Sequence, residues 1–196
     1  MRVTGGRLAG RTLQLPKGPR IRSTQDQVRQ ALFNLLGERV EGARVLDLFC
    51  GSGAVGIEAL SRGAAHVTFV DRSGFSVEAT KTNLENLTSV PGTAYPVPGT
   101  GYRVMRADGV SAIGRLARAG KQFDLVFLDP PYGENLPTKT LKALGGCAIV
   151  APSGWVVVEQ EKRDPLVENP EGKSAHILLQ RIEHYGDTAF VIYQRQ

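Results

Sequence analysis

Asp129-Pro130-Pro131-Tyr132, which follows the apolar run Phe123 to Leu128, has the residue types needed to act on an exocyclic amine of a nucleobase. Such an amine is a poor nucleophile because its lone pair is delocalised into the ring. A carboxylate from Asp129 and the backbone carbonyl of Pro130 can accept its two N–H bonds, which draws the nitrogen toward tetrahedral geometry and frees the lone pair. Consecutive prolines fix the backbone there and remove competing donors. Tyr132 offers a ring on which a base can stack. An ordinary Pro-Pro turn after a strand is the plain alternative.

A second stretch, Val45 to Leu60, supplies what such an amine would attack. Val45, Leu46, Leu48 and Phe49 make an apolar run expected of a strand buried on both faces, and a helix-period segment follows at once. Between them Gly51, Gly53 and Gly56 spell G-x-G-x-x-G, and Asp71 ends the next apolar run. Alone, this pattern suits a dinucleotide pyrophosphate held on amide N–H groups. Asp47 argues against it: two like charges at ~4 Å repel by roughly 4 kcal/mol at an effective dielectric near 20. S-adenosylmethionine brings an ammonium and a sulfonium to the same corner and no phosphate, so the carboxylate becomes favourable.

These residues need a frame that brings strand ends together. From Arg44 onward strands and helices alternate, which predicts a doubly wound, mostly parallel α/β sheet. Strands are expected at Val45–Phe49, His66–Val70, Arg103–Met105, Phe123–Leu128 and Gly154–Glu159, with an antiparallel hairpin of 175–184 and 188–193 turning at Gly186-Asp187. Asp47, Asp71, Asp108 and Asp129 each fall at the end of one of the first four, on the rim where such sheets bind ligands. Ahead of the sheet, residues 2–15 read as a small β-hairpin around glycines. Thr24 is placed to N-cap a helix carrying Val28, Leu32, Leu35 and Leu36 on one stripe. The division expected is 1–40 as an extension and 41–196 as the main domain. Residues 88–100, rich in Pro, Gly and Thr, read as a surface loop with no assigned role.

The charge is uneven. Residues 1–25 hold Arg2, Arg7, Arg11, Lys17, Arg20 and Arg22 and no acid, leaving 18 basic against 19 acidic side chains in the remaining 171 residues. A neutral body with a basic arm beside a nucleobase site points to a polyanion partner rather than a solvated tail. Nothing approaches the ~20 apolar residues of a membrane span, and a reducing cytoplasm suits Cys50 and Cys147, which lack any C-x-x-C spacing. His66, His176 and His184 show no metal-ligand spacing. Cys50 is read as a small buried side chain, and Trp155 as packing.

The order of these motifs resembles the class I, Rossmann-like S-adenosylmethionine-dependent methyltransferases. More narrowly, the chain resembles the RsmD family, which methylates the N2 amine of a guanine in 16S ribosomal RNA. The likeness runs through Arg2-Val3-Thr4-Gly5-Gly6 with Gly10-Arg11, Arg22-Ser23-Thr24 leading into Asp26, Val28-Arg29 and Leu32-Phe33-Asn34. It continues through Leu46-Asp47 to Gly53, Glu58-Ala59-Leu60-Ser61-Arg62-Gly63, Asp129 to Tyr132, and Gly186-Asp187-Thr188. Ser23 stands where the family has proline, Gln30 where it has glutamate, and the 88–100 loop is longer.

The resemblance implies a cofactor site of Asp47, Gly51 and Gly53 around the methionine moiety, Asp71 on the ribose hydroxyls and Asp108 on the adenine amine. Asp71 and Asp108 can equally be helix N-caps. It implies Asp129, Pro130 and Tyr132 as the catalytic group, with no metal and no covalent enzyme intermediate. Arg2, Arg7, Arg11, Arg20 and Arg22 would hold RNA phosphates. The implied substrate is 16S ribosomal RNA in an assembled or assembling small subunit, met by a cytoplasmic monomer. The rival readings are a DNA adenine-N6 methyltransferase, a methyltransferase-like RNA-binding protein without catalysis and, last, a nicotinamide-dependent dehydrogenase.

Overall fold

The computed structural model describes residues 1–16, 26–88, 101–131, 135–165 and 177–196. Arg20, Arg22, Thr24, Tyr132, His176 and the loop 89–100 lie outside the described residues. The apolar runs form β1 (Arg44–Leu48), β2 (His66–Asp71), β3 (Gly101–Arg106), β4 (Phe123–Leu128) and β5 (Val150–Glu161), followed by β6 (Ile177–Tyr185) and β7 (Thr188–Arg195). The helices are α1 (Asp26–Leu36), α2 (Ala54–Ser61), α3 (Gly74–Thr88), α4 (Gly109–Arg118) and α5 (Leu136–Gly145).

Among the described residues the strands make one seven-stranded sheet in the order β3-β2-β1-β4-β5-β7-β6. The first five are parallel, while β7 pairs antiparallel with both β5 and β6. This is the expected doubly wound sheet with its C-terminal hairpin. β5 starts earlier than the sequence pattern suggests, because its pairing with β4 jumps from Phe123↔Val150 to Leu125↔Trp155. The intervening residues bulge, with Ser153 at φ 60°.

Alternate side chains of the central strands enter two apolar layers. Val45, Phe69 and Phe127 pack with Phe33 of α1, Ile57 of α2 and Leu84 of α3. On the other face, Leu46, Leu48 and Val126 pack with Ile113 of α4 and Leu141 of α5. From β1 the chain winds outward to β2 and β3, then crosses back to β4 on the other side of β1. The switch point therefore lies between β1 and β4, which is where an open sheet of this kind leaves a crevice.

The N-terminal hairpin forms with less regular pairing than the sequence suggests. It has one antiparallel bridge, Arg2 with Thr12, and a 3-10 turn at Gly6–Leu8 in place of two regular strands. The physical reason is competition: several of its backbone groups bond to helix side chains instead of across the hairpin. Thr4 N–H donates to Glu58 (2.7 Å) and Leu8 N–H to Ser61 Oγ (2.9 Å). The turn also needs glycine, since Gly6 has φ +73° and a Cβ there would lie 2.1 Å from the Ser61 carbonyl oxygen. Val3, Leu8 and Leu13 are buried in the same apolar layer as α1 and α2.

Candidate active site

The loop leaving β1 is held in an unusual conformation. Phe49, Gly51 and Gly53 all have positive φ (64°, 56° and 77°). For a phenylalanine this is costly, of order 1–3 kcal/mol, and persists only where the surroundings impose it. The Phe49 ring packs against Gly109 at the start of α4, where a Cβ would sit 2.9 Å from the ring. Phe49 thus ties the β1 loop to the β3 loop that carries Asp108, a role the sequence did not suggest.

Two of the acids hold this loop from inside. Asp47 is 3% exposed and its Oδ2 accepts the Gly56 N–H at 2.9 Å. Asp71 accepts the Gly51 N–H at 3.0 Å through one oxygen and the Ser73 N–H at 2.8 Å through the other. Asp71 therefore turns the chain into α3 as well as gripping the glycine loop. Two amides that an anion would seek at a helix N-terminus are already occupied by the protein's own carboxylates. The Gly51 and Gly56 amides are therefore not free to receive a pyrophosphate.

Burial pushes the Asp47 carboxyl up to about 7, with the neighbouring Asp71 charge adding to the rise and the Gly56 N–H opposing it. An unfolded aspartate titrates near ~3.9. Between these values the unfolded chain has released a proton that the folded chain retains, so this group makes stability fall as pH rises from about 4 to about 7. Asp47→Asn keeps an acceptor for Gly56 and removes the titration. Its melting temperature relative to wild type should rise by several degrees between pH 4 and pH 8, at about 2–4 °C per kcal/mol for a chain of this size. A difference that does not change with pH would show an ordinary carboxyl at this position.

Asp108 lies two residues beyond β3 and accepts the Ser111 N–H at 3.1 Å, so it serves as the N-cap of α4. Asp129 follows β4 directly. Leu128 pairs with Leu48, so the Asp129 and Phe49 loops leave the sheet side by side at the switch point. Asp129 is half-buried, Pro130 buried and Pro131 exposed. The structure thus bonds Asp71 to Gly51 and Asp47 to Gly56, with Gly53 in the same loop donating its N–H to the Cys50 carbonyl at 2.7 Å, and sets Asp108 and Asp129 on the same rim.

The basic arm lies along α2, with Arg2 and Arg7 exposed and Arg11 half-buried. Its tip docks at Ser61, the last residue of α2, where Ser61 Oγ donates to the Gly5 carbonyl at 2.5 Å. An eight-residue helix is about 12 Å long, so Arg7 stands about one such length from the glycine loop rather than beside it.

Glu58 anchors this arrangement and was not singled out by sequence. It is fully buried and accepts from Thr4 N–H, Thr4 Oγ1 (2.8 Å), Arg62 Nε (2.9 Å) and Arg29 Nε (3.4 Å). Arg29, also fully buried, bonds Asp26 at 3.0 Å and the Arg2 carbonyl. One signal was available: Glu58 is the lone charge in the otherwise apolar and small AVGIEALS helix.

Cys50 is a buried side chain as expected, its Sγ 3.6 Å from Thr80 Oγ1 and its thiol pushed well up by burial. Trp155 packs under the Arg39 guanidinium, 4.2 Å from its ring centre. Among the described residues no group of His, Cys, Asp or Glu is arranged to hold a metal ion, and no helix is long and apolar enough to cross a membrane.

Comparison with known proteins places this geometry. The family described as Conserved hypothetical protein 95 matches residues 1–194. Ribosomal RNA small subunit methyltransferase D of Escherichia coli K12 is 34% identical over 196 residues, covering 100% of this chain and 90% of that protein. YlbH of Bacillus subtilis 168, whose name assigns it provisionally to the rRNA methyltransferases, is 35% identical over the full length of both. The solved structure of Escherichia coli yhhF, described provisionally as a methyltransferase, superposes with TM-score 0.80 at 31% identity, covering 100% of this chain and 98% of that one.

Proposed function

The chain belongs to the Conserved hypothetical protein 95 family, that of ribosomal RNA small subunit methyltransferase D, and from this we propose that it transfers a methyl group from S-adenosylmethionine to the N2 amine of a guanine in 16S ribosomal RNA. The observation that carries the reading is the switch-point rim. There a glycine loop whose amides are filled by Asp47 and Asp71 meets the Asp129-Pro130 loop.

The residues fit this cofactor. Gly51 and Gly53 leave the loop without side chains where the methionine part would approach, and Asp71 would accept from the ribose hydroxyls. Asp47 would hold the loop from behind through the Gly56 N–H, and Asp108 would meet the adenine amine. When bound, S-adenosylmethionine supplies an electrophilic methyl on a sulfonium. Asp129 and the Pro130 carbonyl accept the two N–H bonds of the target amine, and Tyr132 stacks on the guanine. Most of the acceleration then comes from positioning. The base must be splayed from its RNA context to reach this rim, which is easiest in a loop.

We read 1–40 as an RNA-binding extension and 41–196 as the methyltransferase domain of a cytoplasmic monomer. Arg2, Arg7, Arg11, Arg20 and Arg22 would hold phosphates of a small subunit, assembled or assembling. Replacing Arg7 and Arg11 with alanine should raise the RNA concentration needed and flatten the log–log salt dependence by roughly 1.4–1.8, the loss of two phosphate contacts. An unchanged slope would return the arm to a solvated surface.

The direct test compares transfer of labelled methyl to undermethylated small subunits, naked 16S RNA and duplex DNA, with nucleoside analysis of the product. N2-methylguanosine at one site, strongest on subunits, is expected. Methyladenine in DNA would favour the adenine-N6 reading, and cofactor binding without transfer to any of the three would remove the proposed substrate.

A further inference from the structure

The open end of the N-terminal hairpin meets the glycine loop through the bonds of Asn83 of α3, beside a weaker direct contact in which Ser52 Oγ lies 3.9 Å from Met1 Sδ. Asn83 is 1% exposed, and both donors and the acceptor oxygen of its carboxamide are engaged. Asn83 Oδ1 accepts the Gln14 N–H at 2.7 Å, while Nδ2 donates to the Gln14 carbonyl at 2.9 Å and to the Ser52 carbonyl at 2.9 Å. The paired bonds to Gln14 fix which end is oxygen, because the Gln14 N–H can only donate. One turn earlier, Thr80 Oγ1 donates to the Gly51 carbonyl at 3.1 Å, so the same face of α3 holds two successive carbonyls of the loop. No other uncharged side chain of this length carries one acceptor and two donors.

We propose that Asn83 is a positioning residue that couples the RNA-binding arm to the cofactor loop, so that RNA on the arm and cofactor on the loop raise each other's affinity. This inference rests on the methyltransferase reading above. Asn83 touches neither ligand. It acts because a carboxamide bonded on both sides cannot shift toward the arm without releasing Ser52, nor toward the loop without releasing Gln14. Coupling of this kind is reciprocal, with a single factor governing both binding events.

The experiment measures the dissociation constant of S-adenosylhomocysteine with and without 16S RNA, and that of the RNA with and without S-adenosylhomocysteine, in the full chain. Wild type should show the same enhancement from both directions, on the order of five-fold or more. Asn83→Ala should bring the enhancement close to one. Asn83→Asp should do so as well, since a carboxylate would face two carbonyl oxygens. Asn83→Gln, with the same amide on a longer stem, controls for distance. A variant that merely loosened the fold would weaken both ligands and leave their ratio intact, so the ratio is the decisive readout. Asp108→Asn, on the same rim but away from Asn83, should weaken cofactor binding and keep the ratio. Wild-type binding of both ligands without enhancement, or enhancement surviving in Asn83→Ala, would overturn the coupling and leave the enzyme reading intact. Failure of wild type to bind S-adenosylhomocysteine at all would overturn both.

Discussion

Asp129→Ala is expected to lower methyl transfer by about 10³-fold, the scale of losing a preorganised polar contact to the reacting group, while S-adenosylmethionine affinity stays within a few-fold. The separation follows from placement. Asp129 leaves β4, whereas the bonds that shape the glycine loop come from Asp47 and Asp71 on β1 and β2 and from Thr80 and Asn83 on α3. Single-turnover rates at saturating RNA should carry the loss, because the proposed contact to the amine would matter most as its nitrogen becomes tetrahedral. Asp129→Asn retains one acceptor and should recover part of the rate. A loss of cofactor affinity that tracks the loss of activity would move Asp129 from the amine to the cofactor.

The second large effect is on stability. Glu58→Ala leaves the fully buried Arg29 with a shortened set of partners and Thr4 without its acceptor. Removing one member of a buried ion pair costs about 3–5 kcal/mol, which corresponds to a melting temperature lower by about 10 °C in a chain of this length. Limited proteolysis should then open first within residues 1–16. Replacing Glu58 and Arg29 together with methionine removes both charges and should cost less than Glu58→Ala, because the charge that loses its partner, Arg62, is partly exposed rather than fully buried. A double variant no more stable than the single one would place the cost in the lost arm bonds rather than in the ion pair.

The sheet was legible because its strands are apolar runs of a few residues separated by helix-period segments. The rim was legible because chemistry there needs particular residue types at strand ends. Three features escaped for physical reasons. Phe49 adopts a left-handed backbone that no side-chain pattern reveals. Glu58 and Arg29 look like solvent-facing charges until the arm folds over them. The hairpin looks like a self-contained ribbon, but its turn, Gly6, lies too close to α2 to admit any side chain. Asp71 and Asp108 could be read either as ligand contacts or as chain-turning acceptors. The hydrogen bonds place both in the second role, and each still stands on the rim.

The way the arm is fastened also orders events during synthesis. Thr4 finds its partner 54 residues later at Glu58, and Gln14 finds its own 69 residues later at Asn83. At ribosomal speeds of roughly 5–20 residues per second, Gln14 therefore waits on the order of 3–14 s before Asn83 exists. Until β1 and α2 have been made, Val3, Leu8 and Leu13 lack most of the layer they enter. The arm is made before its partners and is thus among the last elements to settle, and a nascent chain stalled before α3 would present a sticky, positively charged ribbon to the ribosome that is making it.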